Sequence, residues 1–223
     1  CNPSRAAVFS GRMPDVTGVW SNQSGSLARR YPKARLLSTA FGESGYRTLG
    51  AGKLLHSRGG KSFGEYFGVN QRWSPLSKEA VKYTRKALPS KASANPRHLT
   101  EDSLGRKVVL PLNRMPSDRK PSQPDGESFD WGGWDVPDTD FGDTRVTNWA
   151  IGKLKQEAKK PLFLAVGYYR PHIPLWAPRR FFDRFKNDPG QLPPVKESDL
   201  SDLGDMGRKW AREAVTAGSH DSG

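Results

Sequence analysis

From Pro161 to Tyr169 the chain reads PLFLAVGYY. A run of this length without a charged residue is short for a helix and right for a strand. Because it is unbroken rather than alternating, it has the pattern of a strand covered on both faces of a parallel sheet. Parallel strands need crossover helices, and the preceding stretch supplies one. Asp143 is placed to cap a helix whose Val146, Trp149, Ala150 and Leu154 fall at i, i+3, i+4 and i+8, with Lys159 and Lys160 at its basic end.

The same order occurs earlier, in ARLLSTAFGESGYRTLGAGKLLH. Leu36, Leu37, Ala40 and Phe41 make a helical stripe, Gly45 suits a left-handed stop, and YRTLGAGK reads as a strand ending in glycines. Pro3 to Phe9 reads as a further short helix with proline in its first turn. Helix followed by strand, twice, predicts an α/β fold with its site at the carboxyl edge of the sheet.

Polar groups gather just past both strand ends. Lys53 and His56 follow the first, and Arg170 and His172 follow the second. The other histidines, His98 and His220, lie in polar segments. Taken alone, GKLLH is consistent with ordinary solvated residues. In RPHIP two prolines hold His172 in place, which suits a structural role as well as a chemical one.

The 223 residues suit one domain or part of a larger one. Residues 78–128, rich in Pro, Ser and charge with an apolar island at KVVLPL, read as an irregular surface insertion. No apolar stretch is long enough to span a membrane. The formal charge of +13 favours polyanionic partners, although the basic residues are scattered from Arg29 to Lys209. A single cysteine, Cys1, excludes an internal disulfide and any multi-cysteine zinc site.

That cysteine opens C-N-P-S-R, followed by S-G-R at Ser10, Gly11 and Arg12. The pattern resembles the signature of type I sulfatases. The likeness extends through ESGYRTLGAGKLLH and PLFLAVGYYRPHIPLWAPRRFFDRF, and the K-x-x-H spacing of Lys53 and His56 is most similar to the iduronate-2-sulfatase branch. The resemblance implies an alkaline-phosphatase-like sulfatase fold, with a mixed, mostly parallel sheet between helices. It also implies a sulfated sugar or glycosaminoglycan-like substrate, and a periplasmic, extracellular or lysosome-like compartment. Nucleic acid is not an expected partner.

In that family the motif cysteine is oxidised to formylglycine by a dedicated generating enzyme. The hydrated aldehyde attacks the sulfur of a sulfate ester, and its second hydroxyl then expels sulfate as the aldehyde reforms. By resemblance Cys1 is the precursor, and Pro3 and Arg5 belong to the sequence that the generating enzyme reads. Arg5 would steady the nucleophile, and Lys53 would touch both it and a sulfate oxygen. His56 would act as base in the collapse and His172 would serve the leaving alcohol, two roles that spacing alone leaves exchangeable.

The family resemblance further implies Ca²⁺, with formylglycine from Cys1 as one ligand and the paired acidic ligands outside this chain. The 223 residues are therefore expected to be a partial catalytic domain, truncated at both ends. Asp135, Asp138, Asp140 and Asp143 in DVPDTDFGD are better read as a solvated turn and a helix cap than as a calcium loop. Two alternatives stay open: a phosphate or phosphonate ester hydrolase of the same superfamily, and a noncatalytic basic module that binds polyanions. On the sulfatase reading, Cys1, Arg5, Lys53, His56 and His172 should meet in one cleft.

Overall fold

Pro3 enters the first helix where a missing N–H costs nothing, and the helix stops at Gly11, whose φ of 63° ends the hydrogen-bond ladder. The structure is a computed structural model, and it describes residues 1–56, 60–76, 99–101, 104–109, 131–157, 159–185, 193, 194 and 196–212. In chain order the helices are α1 (Asn2–Ser10), α2 (Pro14–Thr17), α3 (Leu27–Arg30), α4 (Leu37–Glu43), α5 (Gly142–Leu154), α6 (Arg179–Phe182) and α7 (Asp205–Ala211). The strands are β1 (Arg47–Gly52), β2 (Glu65–Phe67), β3 (Leu99–Glu101), β4 (Lys107–Val109), β5 (Trp131–Trp134), β6 (Leu162–Gly167) and β7 (Leu175–Pro178). They fall into two compact units, residues 1–74 with 138–170 and residues 75–137 with 171–223.

In the first unit the strand order is β2-β1-β6, and both pairings are parallel. This is the α/β arrangement that the two helix-then-strand segments predict. Burial is distributed differently from the expectation. The apolar run of β6 is only half-buried along most of its length, whereas β1, reading RTLGAG, is buried from Thr48 to Gly52. Position in the sheet explains the difference. Among the described residues β1 has a neighbour on each side, and α4 and α5 both pack on it, while β6 has β1 on one side. Small residues on β1 make room for rings: a side chain at Gly50 would collide with Phe63 and Tyr66.

One apolar cluster gathers Phe9, Leu54 and Phe63, with Tyr66, Phe163 and Ala165 against it. Phe163 also stacks on Phe41 at 4.3 Å. A second joins Ala6, Val19 and Leu27, so α1 is fastened on its inner face by both.

Three local expectations are corrected. On α4 the fully buried residue is Ser38, bonded to Ser62 at 2.8 Å, and Leu37 is exposed. Helix α5 ends at Leu154, which is exposed, before Lys159 and Lys160 are reached. Asp143 does not cap α5. Phe141 holds the cap position, and the Asp143 side chain points to the end of β6 instead. Gly45 does adopt the left-handed conformation expected of it, with φ 88°.

Asn2 fastens the start of α1 to the following loop. Its buried amide donates to the carbonyls of Gly25, at 2.8 Å, and Ser21, at 3.2 Å, and its N–H donates to Asn22 Oδ1 at 2.9 Å. Replacing Asn2 by alanine strands two carbonyls and is expected to cost about 1–3 kcal/mol, a fall in Tm on the order of 5 °C. A thermal melt followed by circular dichroism checks it, and an unchanged Tm would mean that water replaces the amide at no cost.

In the second unit β5 pairs in parallel with β7, and Trp134 packs edge-on to the buried Trp176 at 5.2 Å. Arg179 donates to Asp135 at 2.6 Å and to the Gly133 carbonyl at 3.1 Å, tying α6 to β5. The described part of the 78–128 stretch contains an antiparallel pair, β3 with β4, so half of the KVVLPL island is strand. The rest of that stretch, with His98, lies outside the described residues, as does His220. Among the described residues no helix is long and apolar enough to cross a membrane.

Candidate active site

The site is built where β1 and β6 separate. Their register runs in step from Arg47 opposite Leu162 to Gly52 opposite Gly167. At that last pair the backbones close up. Gly52 has φ 71°, a Cβ on it would strike the Gly167 carbonyl, and a Cβ on Gly167 would strike the Lys53 carbonyl. Only glycine pairs with glycine there. The chain turns at Gly52, and Lys53 emerges past the carboxyl end of the sheet with its N–H on the Gly167 carbonyl at 2.8 Å.

Cys1 occupies the N-cap position of α1 and is exposed. One helical turn on, Arg5 Nε donates to Cys1 Sγ at 3.3 Å. Arg5 Nη1 donates to the carbonyl of Lys53 and, at 3.2 Å, to that of Leu54. One guanidinium therefore joins the opening motif to the GKLLH turn, across 48 residues of sequence. Its planar fork of donors allows it to hold a thiol and a peptide corner together.

The Lys53 ammonium is half-buried, and its pKa is pulled down to about 8 by burial and then by the positive charges of Arg5 and Arg72. It is a cation below that pH and loses its charge as pH rises through it. Its Nζ lies 4.3 Å from the centre of the Tyr169 ring. His56 is exposed in the same turn. It lines a cavity of about 310 Å³ together with Asn2, Lys61, Tyr31 and Leu55.

Cys1, Arg5 and Lys53 are thus joined by hydrogen bonds within the first unit, with His56 close in the chain. His172 belongs to the second unit, where it is exposed with Nδ1 2.7 Å from the Ile173 carbonyl. Arg170 of the first unit is turned inward: its Nη2 donates to the carbonyls of Arg72 and Ser74, and burial lowers its pKa while Asp143 opposes the fall.

Sequence reasoning missed Gln71 and the part played by Asp143. Gln71 Nε2 donates to Asp143 Oδ1 at 2.7 Å and to the Gly167 carbonyl at 2.9 Å. Asp143 also accepts from the N–H groups of Tyr169 and Arg170, both at 3.0 Å. A lone Gln in a polar segment carries no periodic signal, and its partners are 72 and 96 residues away.

A family model described as Sulfatase matches residues 1–201. The chain is 27% identical over 215 residues to a protein named Sulfatase from Formosa agariphila, a match covering 94% of this chain and 37% of that protein. It is 25% identical over 225 residues to the iduronate 2-sulfatase of Mus musculus, covering 91% of this chain and 34% of the relative. The solved structure of Ps i-CgsB is 22% identical, covering 86% of this chain and 39% of that one with a TM-score of 0.49. The chain therefore spans little more than a third of the length of these curated relatives.

Proposed function

This chain belongs to the sulfatase family, and from that premise we propose that it carries the nucleophile of a sulfuric ester hydrolase acting on sulfated sugars. Cys1, once converted to formylglycine by its generating enzyme, is the attacking group. The observation that carries the reading is the Arg5 bridge, because it ties the Cys1 sulfur to the Lys53 corner, which lies 48 residues beyond Arg5 in the chain.

Formylglycine supplies, as its hydrate, one hydroxyl that bonds to sulfur and a second that later expels the sulfate. The other residues position groups and move protons. Arg5 orients the side chain at position 1. Lys53 presents its ammonium where negative charge grows on the sulfate oxygens, a preorganised charge that water does not have to rearrange to provide. His56 takes the hydroxyl proton in the collapse, and His172 serves the departing alcohol. Proton transfer of this kind contributes roughly 10²–10⁴ in rate.

Calcium, which the family resemblance implies, takes six to eight oxygen ligands. Among the described residues no three His, Cys, Asp or Glu side chains gather where a metal could be held. Those residues do not form a cage for the ion.

The test is to express the gene together with a formylglycine-generating enzyme and to examine the Cys1 peptide by mass spectrometry. Aryl sulfate and aryl phosphate turnover are then compared at matched conversion. A thiol-to-aldehyde mass loss with turnover of the sulfate is the expected result. A peptide that stays wholly thiol beside a converted control sulfatase, or a preference for the phosphate, would overturn the reading.

A further inference from the structure

Lys53 holds its charge among other cations. Burial first, and then the positive charges of Arg5, from α1, and Arg72, from the segment after β2, bear on its ammonium. What it meets is the ring face of Tyr169, at 4.3 Å. An aromatic face attracts a cation through its quadrupole and takes up none of the three ammonium N–H donors. A carboxylate in the same place would cancel the charge and occupy those donors. A ring is therefore the partner suited to a lysine whose donors must stay open to an anion.

The ring is aimed by its backbone. Asp143, in the first turn of α5, takes the N–H of Tyr169 on Oδ1 and that of Arg170 on Oδ2, each at 3.0 Å. Buried Gln71 bonds the same Oδ1 and the Gly167 carbonyl, and Lys53 N–H bonds that carbonyl as well. The end of β6 is thus tied at positions 167, 169 and 170 from three separate segments. Arg170 then carries the chain past Arg72, whose carbonyl accepts from it at 3.1 Å.

We propose that Tyr169 is a positioning residue for Lys53: the Asp143 and Gln71 clamp aims its ring, and the ring face holds the ammonium over the ends of β1 and β6 with its donors open. Its use in catalysis rests on the reading of Lys53 as the group that meets the sulfate oxygens. The contact itself does not.

The experiment is competitive acetylation of the 223-residue chain with trace acetic anhydride across a pH series, with Lys53 followed by peptide mass spectrometry. Wild type, Tyr169→Phe, Tyr169→Leu and Asp143→Asn are compared, with folding checked by circular dichroism. Tyr169→Leu is expected to lower the Lys53 midpoint by about half a unit to one unit, because the ammonium loses its attractive face. Tyr169→Phe keeps the face and should keep the midpoint. Asp143→Asn, which leaves one of the two backbone N–H groups without its acceptor, should shift it in the same direction as Tyr169→Leu and by less. A midpoint unchanged in Tyr169→Leu, or lowered equally in Tyr169→Phe, overturns the proposal. None of these readouts uses turnover, so failure of the positioning role and failure of the sulfatase reading are told apart.

Discussion

Replacing Cys1 by serine is expected to lower sulfate-ester turnover by at least about 10³-fold in the converted enzyme, with no change in Tm. A serine cannot be oxidised by the formylglycine route, so position 1 keeps a single hydroxyl. That alcohol can accept the sulfuryl group, but it has no second hydroxyl to expel it, and the reaction stops after one transfer. The fold should not register the change, because Cys1 is exposed and its side chain meets Arg5 at a hydrogen-bond distance that a hydroxyl also reaches with small movement. Steady-state turnover of an aryl sulfate, together with the mass of the position 1 peptide after exposure to substrate, reads both halves of the expectation. A Cys1→Ser variant that turns over at the parent rate would remove formylglycine from the mechanism.

The largest effect on the fold is expected from Gly52→Ala. The residue has φ 71°, a conformation that costs an L-residue of order 1–3 kcal/mol, and the new methyl would meet the Gly167 carbonyl and the Gln71 amide. Overpacking adds about 1–3 kcal/mol more. Together these remove a large part of a stability of about 5–15 kcal/mol, with a fall in Tm on the order of 10 °C. The damage should be local in a recognisable way. Lys53 N–H and Gln71 both bond the Gly167 carbonyl, so amide exchange should rise first at the ends of β1 and β6. Gly105→Ala is a suitable comparison, since it also has positive φ, at 75°, and no atom lies within 4 Å of its Cβ position. If the two variants melt together, strand-end crowding is not what requires Gly52.

How far the site could be read in advance depends on the range of each signal. Cys1, Arg5, Lys53 and His56 stand out as candidates because short motifs hold them at fixed spacings. The Arg5 contact to Lys53 was not, because nothing in either motif states that a helix start and a strand end are neighbours. Among the strands, the apolar PLFLAVG run carried the clearest pattern and β1 a weak one. The burial turned out greater on β1, whose glycines and alanine score as barely hydrophobic. Hydropathy registers what a residue brings to a contact, whereas the burial of β1 comes from what its neighbours Phe63 and Tyr66 lay over it.

Asp143 shows the same division most sharply. In the chain it stands one residue into α5 and reads as a cap by composition. In the fold its carboxylate serves Gln71, Tyr169 and Arg170, residues 72, 26 and 27 positions away. The sequence alone determined the helix-then-strand order, the parallel sheet and the spacing within the Cys1 and Lys53 motifs, because periodicity, glycine stops and motif spacing act over a few residues. The tertiary structure alone decided which strand is buried, that Arg5 joins Cys1 to Lys53, and that Tyr169 lies against the Lys53 ammonium. Those outcomes depend on which surfaces meet after the chain has folded, and a carboxylate or a ring has several partners of similar energy until packing leaves it one.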